Sequence, residues 1–221
     1  MVGENQMAIL DLQKVGFKVE GTQLIKDITL QVQAGDWLTI EGPSGSGKSL
    51  LLKLIASLLT PTSGNIYFNN QNQTTFHKVD YRKQVSYCFQ QPSLFGQTVK
   101  DNLLFPFTIR NIAFDEQHAI TALASVDLPK EFLEKDIKTL SGGQKQRVAL
   151  IRNLLFPPSI LLLDEITTRL DAQTKDIVNR LLVGYQKKGM TLLSVTHDER
   201  EISKADHLIQ IVSGKMEKSH E

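Results

Sequence analysis

The chain has 221 residues, 41% of them apolar and 22% charged, with a formal net charge of +1. That length and apolar content suit a single α/β domain with a full core. The balance of 25 basic and 24 acidic residues lacks the basic footprint expected of a nucleic-acid binder. The single cysteine, Cys88, excludes an internal disulfide, fits a reducing compartment and reads as a small buried apolar residue.

Residues 1–10, MVGENQMAIL, lack the basic and apolar regions of a signal peptide. No stretch reaches the roughly 18 consecutive apolar residues of a membrane span. The richest runs, 50–59 and 160–163, are broken by Lys53 and closed by Asp164. The expectation is a soluble chain, for which another polypeptide supplies any membrane part.

Ile28, Leu30 and Val32 alternate with Thr29 and Gln31, the pattern of a half-buried antiparallel strand. After the turn 34–36, residues 37–40 form a short buried strand. Next comes Gly42-Pro43-Ser44-Gly45-Ser46-Gly47-Lys48-Ser49, then a predicted helix over 48–59 that TPTSG ends. This is G-x-x-x-x-G-K-[ST] in the strand–loop–helix context the motif requires. Its glycines let several backbone N–H groups turn toward one anion, and the helix adds the positive end of its dipole. Lys48 offers a point charge to the β- and γ-phosphates, and the Ser49 hydroxyl is a Mg²⁺ ligand.

Residues 85–89 read as a second apolar strand, and 92–139 as a mostly helical inserted lobe. A helix over 143–156 places Val148, Ile151 and Leu155 on one face and stops at Pro157-Pro158. The strand 160–163 ends in Asp164-Glu165. Adjacent residues at a strand end point in different directions, so the two carboxylates can hold different tasks. Beside a phosphate loop, Asp164 fits a Mg²⁺-holding acid and Glu165 the group that orients and deprotonates the attacking water. A helix over 172–188, with Ile177, Leu181 and Tyr185 on one stripe and Gly189 at its end, precedes a strand over 191–196. Alternating buried strands and helices imply a mainly parallel sheet.

Leu140-Ser141-Gly142-Gly143-Gln144 opens the helix that carries Lys145, Gln146 and Arg147. Ser141 and Gln144 fit a capping box, but two consecutive glycines also leave N–H groups bare at a helix N-terminus, a second anion site. Here the sequence resembles the ABC ATPase family over nearly its whole length. LSGGQ matches that family's signature, Gln90 its Q-loop glutamine, Leu170-Asp171 the end of its D-loop, and His197 its switch histidine. The other histidines, at 77, 118, 207 and 220, read as surface residues.

The resemblance implies a P-loop NTPase (RecA-like) α/β core with an N-terminal antiparallel β subdomain and an inserted α-helical subdomain, all in one cassette over 1–221. It implies ATP and Mg²⁺ as cofactors, with Ser49, Gln90 and Asp164 toward the metal. Glu165, His197, Lys48 and Gln90 would be catalytic. Residues 42–50 would cradle the phosphates, together with Ser141, Gly142, Gly143, Gln144 and Asp171. Two copies would pair head to tail, with ATP between one phosphate loop and the partner's signature, and drive an integral membrane permease from the cytoplasmic face.

Four positions depart from the family pattern. Val19 stands where an aromatic residue stacks on adenine, with Phe17 on the same strand face. Leu50 replaces a threonine, and the D-loop carries Ile166 and Arg169 where Pro and Ala are common. Translation factors of the family carry two cassettes, and chromosome-maintenance members insert a long coiled coil; this chain has neither. The alternative to transport is a soluble cytosolic ATPase, for example one serving iron–sulfur assembly. In transporters the segment 91–111, with Phe95, Phe105 and Phe107, faces the permease; the same aromatics could instead fill the lobe's own core. The phrasing of 82–111 and of LLLDEIT looks like the ATP-binding subunits of Fet-type iron exporters.

Overall fold

The structure, a computed structural model, describes residues 8–203 and 205–217. The start of the segment read for a leader, 1–7, and His220 lie outside the described residues. β1 (Leu10–Val19) and β2 (Thr22–Val32) form an antiparallel hairpin, in register from Leu10↔Val32 to Val19↔Thr22. Ile28 and Val32 are buried and Leu30 half-buried, while Thr29 and Gln31 are exposed, so the alternation holds. It fails in β1. Register shifts flank Val15 and Phe17, and Lys14 takes φ 50°. Phe17 therefore packs on the core while Val19 is 45% exposed, and the two do not share a face as expected.

β3 (Trp37–Glu41) leads through the glycine loop into α1 (Lys48–Ile55). The helix is shorter than the 48–59 expectation, for a local reason. Ser57 takes φ 54°, its N–H donates to Leu54 O at 3.1 Å, and the Leu58 N–H donates to Lys53 O at 2.9 Å. That is a Schellman end with serine in the left-handed position usually held by glycine. Ser63 and Gly64, read as part of the stretch that ends the helix, instead begin a strand, β4 (Ser63–Phe68), which pairs with β1 and with β5 (Gln71–Asn72).

α2 (Lys78–Gln84) leads into β6 (Val85–Cys88). The lobe contains α3 (Val99–Thr108), α4 (Glu116–Ala124) and 3₁₀ turns at 130–134 and 137–139. Then come α5 (Gly142–Leu154), β7 (Ile160–Asp164), α6 (Ala172–Gln186), β8 (Thr191–Val195), α7 (Glu199–Ile202), β9 (His207–Val212) and β10 (Lys215–Glu217).

The central sheet runs β10-β9-β3-β8-β7-β6, parallel except for the β9–β10 pair; a second, antiparallel sheet runs β2-β1-β4-β5. α1 and both sheets share one apolar cluster. The lobe has its own around Val99, Leu103, Phe107 and Leu123, into which α5 inserts Val148, Ile151 and Leu155. Leu150 and Leu154 of the same helix join a third cluster with β7 and α6. α5 thus fastens the lobe to the sheet, and its first turn is the LSGGQ motif.

Because β3, β6, β7 and β8 are parallel, their carboxyl ends lie along one edge of the sheet. The phosphate loop, Gln90, Asp164-Glu165 and His197 all follow those ends, where open α/β sheets place their ligands.

Candidate nucleotide-binding site

Gly42 takes φ 136°, and a Cβ there would stand 2.0 Å from Ile211 O; Gly47 takes φ 108°, and its Cβ would meet Ile25 Cδ1 at 2.8 Å. Only glycine fits either place. The loop folds over the Lys48 side chain, whose Nζ donates to Gly42 O at 2.7 Å and to Pro43 O at 2.9 Å. Burial lowers the pKa of this ammonium, and the carboxylates of Glu165 and Asp164 oppose the shift. The Ser46 hydroxyl is buried with no protein partner. A buried polar atom left unpaired inside an anion-binding loop fits a phosphate that completes it.

Ser44, Gly45, Gly47, Lys48, Ser49 and Leu50 line one cavity with Leu24, Lys53, Gln90 and Glu165. Pro43 is exposed. Leu50 also packs on the core, so its apolar side chain replaces a hydroxyl with packing.

Asp164 closes β7, 5% exposed, and both its oxygens are engaged. Ser49 Oγ donates to Oδ1 at 2.7 Å, and the Tyr87 hydroxyl donates to Oδ2. Burial and the adjacent Asp164 carboxylate both push the Tyr87 phenol up, so it remains a donor. The paired oxygens of Ser49 and Asp164 are a hard donor set suited to Mg²⁺, which takes one or two protein oxygens and fills its other positions from phosphate and water.

Glu165 turns out of the strand in the left-handed region, φ 48°, and its N–H donates to Val195 O at 3.0 Å. A non-glycine residue held there costs about 1–3 kcal/mol, a strain typical of functional sites. The turn separates the two carboxylates: Glu165 Oε2 accepts from Gln90 Nε2 at 2.7 Å, and His197 Nε2 stands 3.6 Å from Oε1. Gln90 and His197 are thus brought to Glu165, and Gln90 touches neither Ser49 nor Asp164 through a direct hydrogen bond.

The signature lies elsewhere. Ser141 and Gly143 line a separate cavity with Asp127, Arg147, Asp171, Gln173, Thr174 and Ile177. Ser141 Oγ accepts from Gln144 N at 3.2 Å and Gln144 Oε1 from Ser141 N at 3.0 Å, so the capping box is real and occupies the Gln144 side chain. Nothing would stand within 4 Å of a Cβ on Gly142. Asp171 caps α6 by accepting from Thr174 N and Oγ1, both at 2.9 Å. These bonds hold its carboxyl below the usual range, the backbone donor first.

Sequence reasoning missed two residues. Tyr87 looked like core, and only the β6–β7 register (Tyr87↔Leu162) brings its hydroxyl to Asp164. Leu24, 39% exposed, lines the phosphate-loop cavity where Val19 does not. Among the other histidines, His77 and His207 are exposed, but His118 packs half-buried against Phe107 and Phe156.

A family model described as ABC transporter matches residues 25–168. The chain belongs to the ABC transporter family. The Escherichia coli (strain K12) "Probable iron export ATP-binding protein FetA" is 46% identical over 204 residues, covering 92% of this chain and 91% of its own. The ATP-binding cassette MJ0796, solved as a dimer in a post-hydrolysis state with ADP and Pi, superposes with a TM-score of 0.85 at 29% identity, over 96% of this chain and 99% of its own. CbiO1 of Clostridium perfringens, part of the ABC transporter complex CbiONQ, does so at 0.82 and 29% identity, over 96% and 88%. The chain is an ATP-hydrolysing subunit of an ABC transporter. No helix among the described residues is long and apolar enough to cross a membrane.

Proposed function

We propose that two copies of this cassette clasp ATP head to tail and drive a separate membrane permease from the cytoplasmic face, exporting iron or another metal. The observation that carries the pairing is that the cavity at Ser141 and Gly143 shares no residue with the cavity at Lys48 and Glu165. Each copy offers half of a site, and MJ0796, of the same fold, forms a dimer. All 221 residues form one cassette, with the helical lobe at about 92–139 inserted in the core and no nucleic acid among its partners.

Residues 42–50 hold the phosphates through loop N–H groups and Lys48. The partner copy's Ser141, Gly142 and Gly143 close on the γ-phosphate, with Gln144 fixing the helix start and Asp171 bracing the D-loop. Ser49 and Asp164, with Gln90 as the third ligand, would hold Mg²⁺, which when bound would neutralise charge on the β- and γ-phosphates. Glu165 takes a proton from the attacking water. Gln90 and His197 hold its carboxylate, and His197 also reaches the γ-phosphate. Loss of the γ-phosphate removes the contacts that join the copies, and the pair opens.

The segment 91–111 meets the permease. Iron as cargo rests on the 46% identity to FetA, and the cargo's path lies in the permease. The test is Glu165→Gln with saturating ATP in gel filtration: a dimer that dissociates on ATP removal is expected, and a persistent monomer would overturn the sandwich.

A further inference from the structure

The residues that hold Asp164 come from two directions. Ser49 reaches Oδ1 from the phosphate loop's helix, and Tyr87 reaches Oδ2 from the neighbouring strand. Tyr87 has a second surface. Its ring lines an apolar groove between the sheet and the lobe, bordered by Leu58, Val79 and Phe105 and by the cations of Arg82 and Arg110. Phe89, 45% exposed in the same groove, stands edge-on to the Tyr87 ring at 4.7 Å and 70°. One residue further along, Gln90 holds Glu165. Tyr87, Phe89 and Gln90 therefore reach both carboxylates of the β7 end and one wall of the groove.

We propose that Tyr87 is a positioning residue for Asp164, fixing the carboxylate for Mg²⁺ and transmitting the state of the groove, through the Phe89–Tyr87 ring contact, to the metal-holding oxygens. The claim rests on the nucleotide-site reading above. A carboxylate at a strand end turns about its Cβ–Cγ bond unless both oxygens are held, and Ser49 fixes only one. The Tyr87 hydroxyl fixes the other, and a ring displaced by a few tenths of an ångström shifts that donor. The connection runs beside that of Gln90 and acts on a different acid: Gln90 bonds Glu165, and Tyr87 bonds Asp164.

The experiment measures ATP affinity in Mg²⁺ and in EDTA on the Glu165→Gln background. Tyr87→Phe keeps the buried ring and deletes only the donor. It is expected to weaken binding in Mg²⁺ by about tenfold or more, the scale of losing a hydrogen bond to a charged group, and to leave binding in EDTA within about twofold. Phe89→Ala, which keeps the hydroxyl and removes the edge-on ring, is expected to show the same selective loss at smaller size. An equal loss in both media would mark Tyr87 as merely structural, and no loss in either would overturn the positioning role. A Phe89→Ala variant indistinguishable from its parent would overturn the link to the groove. If the parent itself bound ATP no better in Mg²⁺ than in EDTA, the reading of Ser49 and Asp164 would fail, and this inference with it.

Discussion

Gln90 Nε2 donates to Glu165 Oε2 at 2.7 Å, a bond between residues 75 positions apart in sequence. Gln90 follows β6 and Glu165 follows β7, and these strands are parallel neighbours, so the sheet register brings the two side chains together. Gln90 holds one oxygen, His197 stands 3.6 Å from the other, and Glu165 lines the cavity of the phosphate loop.

That arrangement makes Glu165→Gln a clean substitution. The amide keeps the shape and can still bond Gln90, but it cannot accept the proton of an attacking water. ATP affinity should stay within about threefold while kcat falls by about 10²–10⁴, the range for losing a general base. Steady-state turnover and equilibrium nucleotide binding check both halves. Turnover within about tenfold of the parent would remove Glu165 from the base role.

The aromatic residues of 91–111 divide. Phe107 is 2% exposed and packs against Phe114 and Phe156, whereas Phe95 and Phe105 are 42% and 44% exposed and stand edge-on to each other at 5.3 Å. Phe107→Ala should cost about 3–5 kcal/mol as a cavity in the lobe core. Phe95→Ala should cost about 1 kcal/mol or less, chiefly its contact with Arg152 at 5.3 Å. Denaturant unfolding measures both, and co-purification with the permease should fail for Phe95→Ala alone. Normal co-purification of a folded Phe95→Ala variant would refute the docking role.

Much of this was legible in sequence because the chemistry sits on short contiguous motifs whose spacing fixes their context. The phosphate loop, Asp164-Glu165 and the Ser141–Gln144 capping box need no knowledge of the fold to be found. What was missed depends on long-range pairing. Ser57 in the left-handed region ends α1 early, without the glycine that usually announces such an end. β4 begins inside a Pro-Thr-Ser-Gly run that reads as turn, and takes its strand character from pairing with β1. β9, which the sequence patterning left unassigned, completes the sheet beside β3. Tyr87 belongs to the same class, since its partner is set by sheet register.

Cys88 lies in the third cluster, 4% exposed, and burial pushes its thiol up to about 12. An unfolded cysteine titrates near about 8.5. The folded value is the higher one, so the neutral thiol's contribution to stability is intact below that pH and is lost progressively as pH rises toward 12. At pH 8 the native thiol should react with a disulfide reagent at least about a hundredfold more slowly than in the denatured chain, because only the thiolate attacks. Absorbance of the released thiolate follows the rate. Prompt stoichiometric labelling of native protein would show that the site opens to solvent.

The family resemblance puts Val19 where a ring stacks on adenine, so base recognition is the step to test. Leu24, 39% exposed, lines the phosphate-loop cavity; Val19, 45% exposed, lies outside that lining, and both offer only aliphatic surface. An aromatic platform under a base is worth about 1–3 kcal/mol, and aliphatic contact neither supplies that nor reads the exocyclic groups that distinguish adenine from guanine. ATP and GTP should therefore bind within about fivefold of each other, measured by displacement on the Glu165→Gln variant. Val19 is exposed, so Val19→Tyr needs no repacking of the core and should raise affinity for both nucleotides by about five- to tenfold. A parent that prefers ATP by about fiftyfold or more would mean that polar groups elsewhere read the adenine edge, and the aliphatic account would be wrong.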